Sequence, residues 1–187
     1  MASTTFSGPV TSTNGFVGAL TGAVTGNVTG NVTGNVTGTV LATTPVNCTT
    51  STLAVTQATH GGRVVTLNRA AGITATLPAA TGTGTIYRFV VGTTFTGSGI
   101  IKVANATDYF IGLALLTTDT SDAMVGFGAA NSGTVATNSD TITMDGTNTG
   151  GYAGAMITIQ DVGTAIFSVL MVSKASASEA TPFSAGV

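Results

Sequence analysis

Apolar and polar residues follow two cadences along this chain, and the switch between them divides it. Residues 18–41 read GALT, GAVT, GNVT, GNVT, GNVT, GTVL: Gly first, a small or polar residue second, an aliphatic residue third and Thr fourth, until Leu41 ends the run. From Ser51 the cadence becomes period two in short runs. This predicts strands over 52–56, 63–67, 73–77, 85–91, 99–103, 111–116, 123–127, 140–144, 155–161 and 165–172. Gly-rich turn signals separate them, among them His60-Gly61-Gly62, Thr81-Gly82-Thr83-Gly84, Asn148-Thr149-Gly150-Gly151 and Val162-Gly163. Short strands at regular spacing predict an all-β domain over 51–187, an antiparallel β-sandwich or jelly-roll-like barrel. Its inward-facing candidates are Ile86, Phe89, Val91, Ile101, Val103, Ile111, Leu113, Leu115, Ile157, Ile159, Phe167 and Val169, and 157–160 with 167–169 read as a hairpin closing the sheet. No segment of ten or more residues carries helical periodicity, and KASASEA at 174–180 offers at most one helical turn.

The tetrads exclude several architectures. A helix interior does not tolerate Gly at every fourth position, at about 1 kcal/mol each. Collagen requires Gly at every third. In an extended strand Gly26, Val28, Gly30, Val32, Gly34 and Val36 share one side, while Asn27, Thr29, Asn31, Thr33 and Asn35 share the other. The apolar side is thin, and its glycines admit a second backbone closely. A unit with one apolar side chain has nothing of its own to bury it against, so neighbouring copies or another surface must cover it. Two readings stay open: three chains wound together with valines on the axis, or an extended arm laid on a host surface by strand addition. A flexible Gly/Thr-rich linker is the plain alternative, although a linker needs no Val in phase. The assembly candidates are therefore Val24, Val28, Val32, Val36 and Val40 as the apolar line, with Gly26, Gly30 and Gly34 permitting close packing. Residues 1–17 form a polar lead-in and 42–50 a connector containing Pro45, so 1–50 reads as an N-terminal arm or stem.

Composition supports assembly. Only 6% of the 187 residues are charged while 43% are hydrophobic, which argues against overall disorder and for a surface covered by partners. The net charge is −2, and the five basic residues (Arg63, Arg69, Arg88, Lys102, Lys174) are scattered, so no electrostatic footprint for nucleic acid is expected. No apolar run has the length of a membrane span, and MASTTFSGPV shows no secretory pattern. The single Cys48 permits no internal disulfide and suits a reducing cytoplasm. The Asn-Val-Thr triplets at 27, 31 and 35 match glycosylation acceptors only as a by-product of the repeat.

Catalytic chemistry finds little support. His60 is the only histidine and precedes a Gly pair, as a turn residue does. Cys48 has no basic neighbour to activate it. The acids are Asp108, Asp119, Asp122, Asp140, Asp145, Asp161 and Glu179; Asp119 and Asp122 share a loop that could hold calcium weakly, but turn roles fit all of them better. Thr81–Gly84 lacks the Lys and helix of a phosphate loop. The expectation is no catalytic residue, no cofactor and no metal.

Residues 64–91, VVTLNRAAGITATLPAATGTGTIYRFVV, resemble a segment of bacteriophage virion β-domains, in which an apolar strand leads through TLPAA and GTG into an aromatic-rich strand. KVANATD (102–108), TMDGTNTGG (143–151) and ATPFSAGV (180–187) are similar to pieces of the same capsid decoration (cement) and head-fibre proteins. The repeat also resembles the trimeric β-helix of tail-spike needles, although it closes every four residues where the needle closes every eight. The resemblance implies a structural virion protein on the capsid surface, made in the host cytoplasm, homotrimeric and bound to the major capsid protein. The alternatives are a fibre tip binding a host-surface receptor or glycan through Tyr87, Tyr109, Phe110 or Tyr152, and an ice-binding solenoid, for which one Thr per tetrad is too few.

Val28→Asp combined with Val32→Asp is expected to abolish assembly and leave the β-domain folded. Native mass and circular dichroism check this, and unchanged assembly would remove the repeat from the argument.

Overall fold

The computed structural model describes residues 44–118, 123–132, 134–176 and 178–187. Twelve strands run in order: β1 Val46–Cys48, β2 Thr52–Ala54, β3 Val64–Leu67, β4 Thr74–Thr76, β5 Ile86–Val91, β6 Gly99–Lys102, β7 Tyr109–Thr117, β8 Met124–Gly128, β9 Thr141–Met144, β10 Met156–Gly163, β11 Ile166–Lys174 and β12 Phe183–Ser184. A short α-helix, α1 Gln57–His60, follows β2, and a single 3-10 turn, Val135–Thr137, precedes β9. The strands form a seven-stranded sheet, ordered β1-β3-β5-β10-β11-β7-β8, and a five-stranded sheet, ordered β12-β9-β6-β4-β2.

The protein is all-β, but its sheets are mixed rather than antiparallel. From β1 to β6 the chain alternates between the two sheets, one strand in each. As a result β1-β3-β5 and β2-β4-β6 are both parallel ladders. Parallel neighbours need a long crossover, usually a helix; here a strand of the other sheet serves as the crossover. Antiparallel pairing enters afterwards. β9 adds to β6, β12 to β9, and β10 inserts between β5 and β11. Period-two patterning reports that a segment is a strand and says nothing of its partner or direction, which is why the antiparallel expectation fails. Most of the Gly-rich turns lead from one sheet to the other; only β7–β8 and β10–β11 are consecutive antiparallel pairs. The β10–β11 pair does form the expected hairpin, with a bulge between Asp161 and Gly163, but it lies in the middle of its sheet and closes nothing.

Both sheets contribute to one core. A single cross-strand row, Val65–Phe89–Ile157–Met171–Ala114, is buried across five strands of the larger sheet. Ala75–Ile101–Ile142–Phe183 is the matching row of the smaller one. Eight of the proposed inward residues are buried, whereas Ile86 stands on the outer face of β5 with Arg88 and Val90, and Ile111, Leu113 and Leu115 lie on the face of β7 away from the core. Phe110, Ala114 and Leu116 take the core instead. The run YFIGLALLT is apolar at both parities, so alternation could not choose its face. Val46–Cys48, read as connector, is an edge strand of the larger sheet, and residues 174–176 and 178–180 are not helical.

Gly112 sits in the middle of β7 at φ 127°, against β11. A Cβ there would collide with the Val169 carbonyl oxygen. Gly112→Val is expected to destabilise the fold by about 2–4 kcal/mol, read as a lower urea midpoint at unchanged slope.

Candidate functional site

The eight assembly candidates of the repeat (Val24, Gly26, Val28, Gly30, Val32, Gly34, Val36 and Val40) lie outside the described residues, as do Asp119 and Asp122. What the structure does place are the remaining polar groups and the two sheet faces turned away from the core.

Asp161, on β10 just before the bulge, is 3% exposed. Its carboxylate accepts from the backbone N–H of Thr81 (3.2 Å), Gly82 (2.7 Å) and Thr83 (3.0 Å), and from the Thr83 hydroxyl (2.8 Å). Gly82 can present its amide here because it adopts φ 77°. Burial alone would raise the Asp161 carboxyl, but the hydrogen bonds from Thr83, Gly82 and Thr81 outweigh it and hold the group below its ordinary value. The Gly-rich loop that might have cradled a ligand phosphate is thus occupied by the protein's own carboxylate.

Three other acids are used in the same way. Asp108 accepts from Ala80 N–H and from the Asn105 amide, both at 2.9 Å. Asp140 accepts from Gly186 N–H (2.7 Å), Val187 N–H (3.2 Å) and the Thr141 hydroxyl (2.7 Å), tying the segment after β12 to the start of β9. Asp145 accepts from Thr147 N–H (2.8 Å) and Thr149 N–H (2.9 Å); burial opposes its ionisation, and these bonds again prevail to lower it. Among the described residues no three His, Cys, Asp or Glu side chains gather as a metal would require.

His60 ends α1 and is 5% exposed. Its Nδ1 lies within hydrogen-bond distance of the Thr56 backbone, 3.0 Å from the amide nitrogen and 3.2 Å from the carbonyl oxygen. Cys48 is buried beside Thr50, whose hydroxyl lies 3.6 Å from Sγ. Of the aromatics proposed for a glycan, Tyr87 and Phe110 are core residues, while Tyr109 and Tyr152 are half-buried. Lys174 Nζ stands 5.5 Å from the Tyr152 ring centroid, beside a shallow hollow that Thr117 and Met156 also line.

The outer faces of the two sheets differ in chemistry. On the smaller sheet, Thr52, Thr74, Ile100 and Thr143 form one row across β2, β4, β6 and β9. On the larger sheet, Val90–Met156–Val172–Leu115 form one row and Arg88–Thr158–Leu170–Leu113 the next. Met124 and Met156 are each 56% exposed, Leu170 47% and Leu113 40%. Sequence reasoning missed this face. Its signal was present in β10, where Met156 stands out of phase with Ile157 and Ile159.

No family model, no curated protein and no solved structure matches this chain.

Asp161→Ala leaves three loop amides without their acceptor and is expected to cost about 2–4 kcal/mol. Because the folded carboxyl titrates below its ordinary value of 3.8, its contribution is complete above that value and is lost as pH falls through the lower folded one. Denaturant titrations at neutral pH and near pH 3 check this: the wild-type advantage over Asp161→Ala should shrink at the lower pH.

Proposed function

We propose that this chain is a structural virion protein that decorates and stabilises a bacteriophage capsid, as a homotrimer on the outer shell bound to the major capsid protein. The observation that carries the reading is the tetrad repeat of 18–41, whose apolar line demands a covering surface. The β-domain, a sandwich in this reading, stands on the shell while the arm or stem anchors or interlocks. The mechanism is linkage: a partner that binds only the assembled lattice shifts the equilibrium towards that lattice. A trimer matches local threefold positions, so one interface is reused around the shell. The reading assigns no catalytic step. The use of Asp108, Asp140, Asp145 and Asp161 as backbone anchors supports it, since those carboxylates already have structural work.

A second reading, a fibre domain binding a host-surface glycan, is favoured by one feature. Tyr152 beside Lys174 offers a ring and a donor next to a hollow.

Cosedimentation with phage heads from the host of origin tests the first reading. Saturable binding at a fixed ratio to the major capsid protein, with heads surviving to higher temperature, is expected. Protein remaining in the supernatant overturns it, and a glycan-array signal lost in Tyr152→Ala would favour the second.

A further inference from the structure

We propose that the outer face of the seven-stranded sheet, centred on Met156 and Leu170 and running to the free edge of β8, is a self-association surface that a second copy of this chain covers. Three observations carry it. The first is size and chemistry. Met156, Leu170, Leu113 and Met124 are 40–56% exposed on neighbouring strands, and Val90, Val172 and Leu115 fill the spaces between them. Five strands by four rows at ordinary sheet spacings give a face of roughly 500 Å², so two such faces would bury about 1,000 Å², where specific interfaces begin. A patch of that size lies in the upper part of the range that monomers expose, where such patches are often functional.

The second observation is charge. No strand of the larger sheet places an acidic residue on this face; Asp161, its one acidic strand residue, points to the core. The cations Arg88 and Lys174 stand on the face, Lys174 engaged with Tyr152. Both cations stand at the margin, Arg88 on β5 and Lys174 at the last residue of β11, so the apolar centre between them can meet its own copy without opposing like charges.

The third observation is the edge. β8 is the terminal strand of its sheet. Thr118 N–H donates to the Ala123 carbonyl and Ala129 N–H to the Gly112 carbonyl, so odd-numbered residues of β8 bond to β7 and Met124, Gly126 and Gly128 turn their backbone groups outward. From Ala123 to Asn131 there is no charged residue and no Pro. Natural sheets blunt solvent-facing edges with such residues; among the described residues no strand pairs with this edge beside the apolar face. The smaller sheet differs, since its outer row is threonine-rich and suited to water.

This inference deepens the homotrimer reading by naming a face on the β-domain that acts together with the repeat, and it does not require a capsid. Light scattering after size exclusion, with the full-length chain at micromolar concentration, is the test. The wild type should run as a closed oligomer. Met156→Lys with Leu170→Lys should fall to the 18.3 kDa of one chain with unchanged circular dichroism, while Thr52→Lys on the other sheet keeps the wild-type mass. A monomeric wild type, or a folded double variant of unchanged mass, overturns the proposal. If the double variant does not fold, Leu170→Cys decides, because Cys48 is buried and the new thiol is the accessible one. Its maleimide reactivity should fall as protein concentration rises through the assembly range, and concentration-independent reactivity overturns the proposal. Head cosedimentation is read separately, so failure of one assay leaves the other standing.

Discussion

Backbone amides that leave a ladder at a crossover must find another acceptor, and the architecture depends on how this chain supplies one. A fold that shuttles between two sheets produces many such amides. Three of the seven acids, Asp108, Asp140 and Asp161, are buried at 3–4% exposure, and each accepts from backbone N–H groups of another segment. In a chain with so few charges this is a large commitment of carboxylates to internal structure. A charged acceptor makes a stronger bond than a carbonyl would, so a single Asp can hold a whole loop. Asp161 does this for 81–83, fixing the passage from β4 to β5 against the end of β10.

The same economy shapes the outside. Anchoring the loops from within leaves the strand faces to be specified by alternation alone, and the two sheets specify them differently. The smaller sheet presents Thr52, Thr74 and Thr143 outward, while the larger presents methionine, leucine and valine. Rows that continue across β5, β10, β11 and β7 arise because the register keeps residues of one parity in line. The exposed apolar face is therefore a property of sheet order. No single segment carries it, and the central position of β10 creates it by bringing Met156 between Val90 and Val172.

Strand existence was legible in the sequence, because each of the ten predicted segments has an alternating or apolar run and Gly-rich turns separate many of them. Pairing was not. Nothing in VVTL or IYRFVV says that the two lie side by side and parallel, since both faces of a pleated strand read alike whichever neighbour is present. β1 and β12, with three and two residues, are too short to show a period. The roles of the aspartates were half legible: turn chemistry was expected, but Asp161 holds a loop about 80 positions away in sequence, a contact that only the fold creates. The outer face was hidden for the same reason, since its rows join residues from 86 to 174.

The position of β10 also bears on how the protein is made. Its partner β5 ends at Val91 whereas β10 begins only at Met156, so the central strand of the larger sheet is made well after its first neighbour. Until then β5 stands as an open edge, and the parallel coil of 46–102 lacks its neighbour on that side. Contacts this distant in sequence close slowly, and the waiting template is sticky. The nascent domain has a window in which it must be kept apart from its siblings, before the finished faces determine how copies meet.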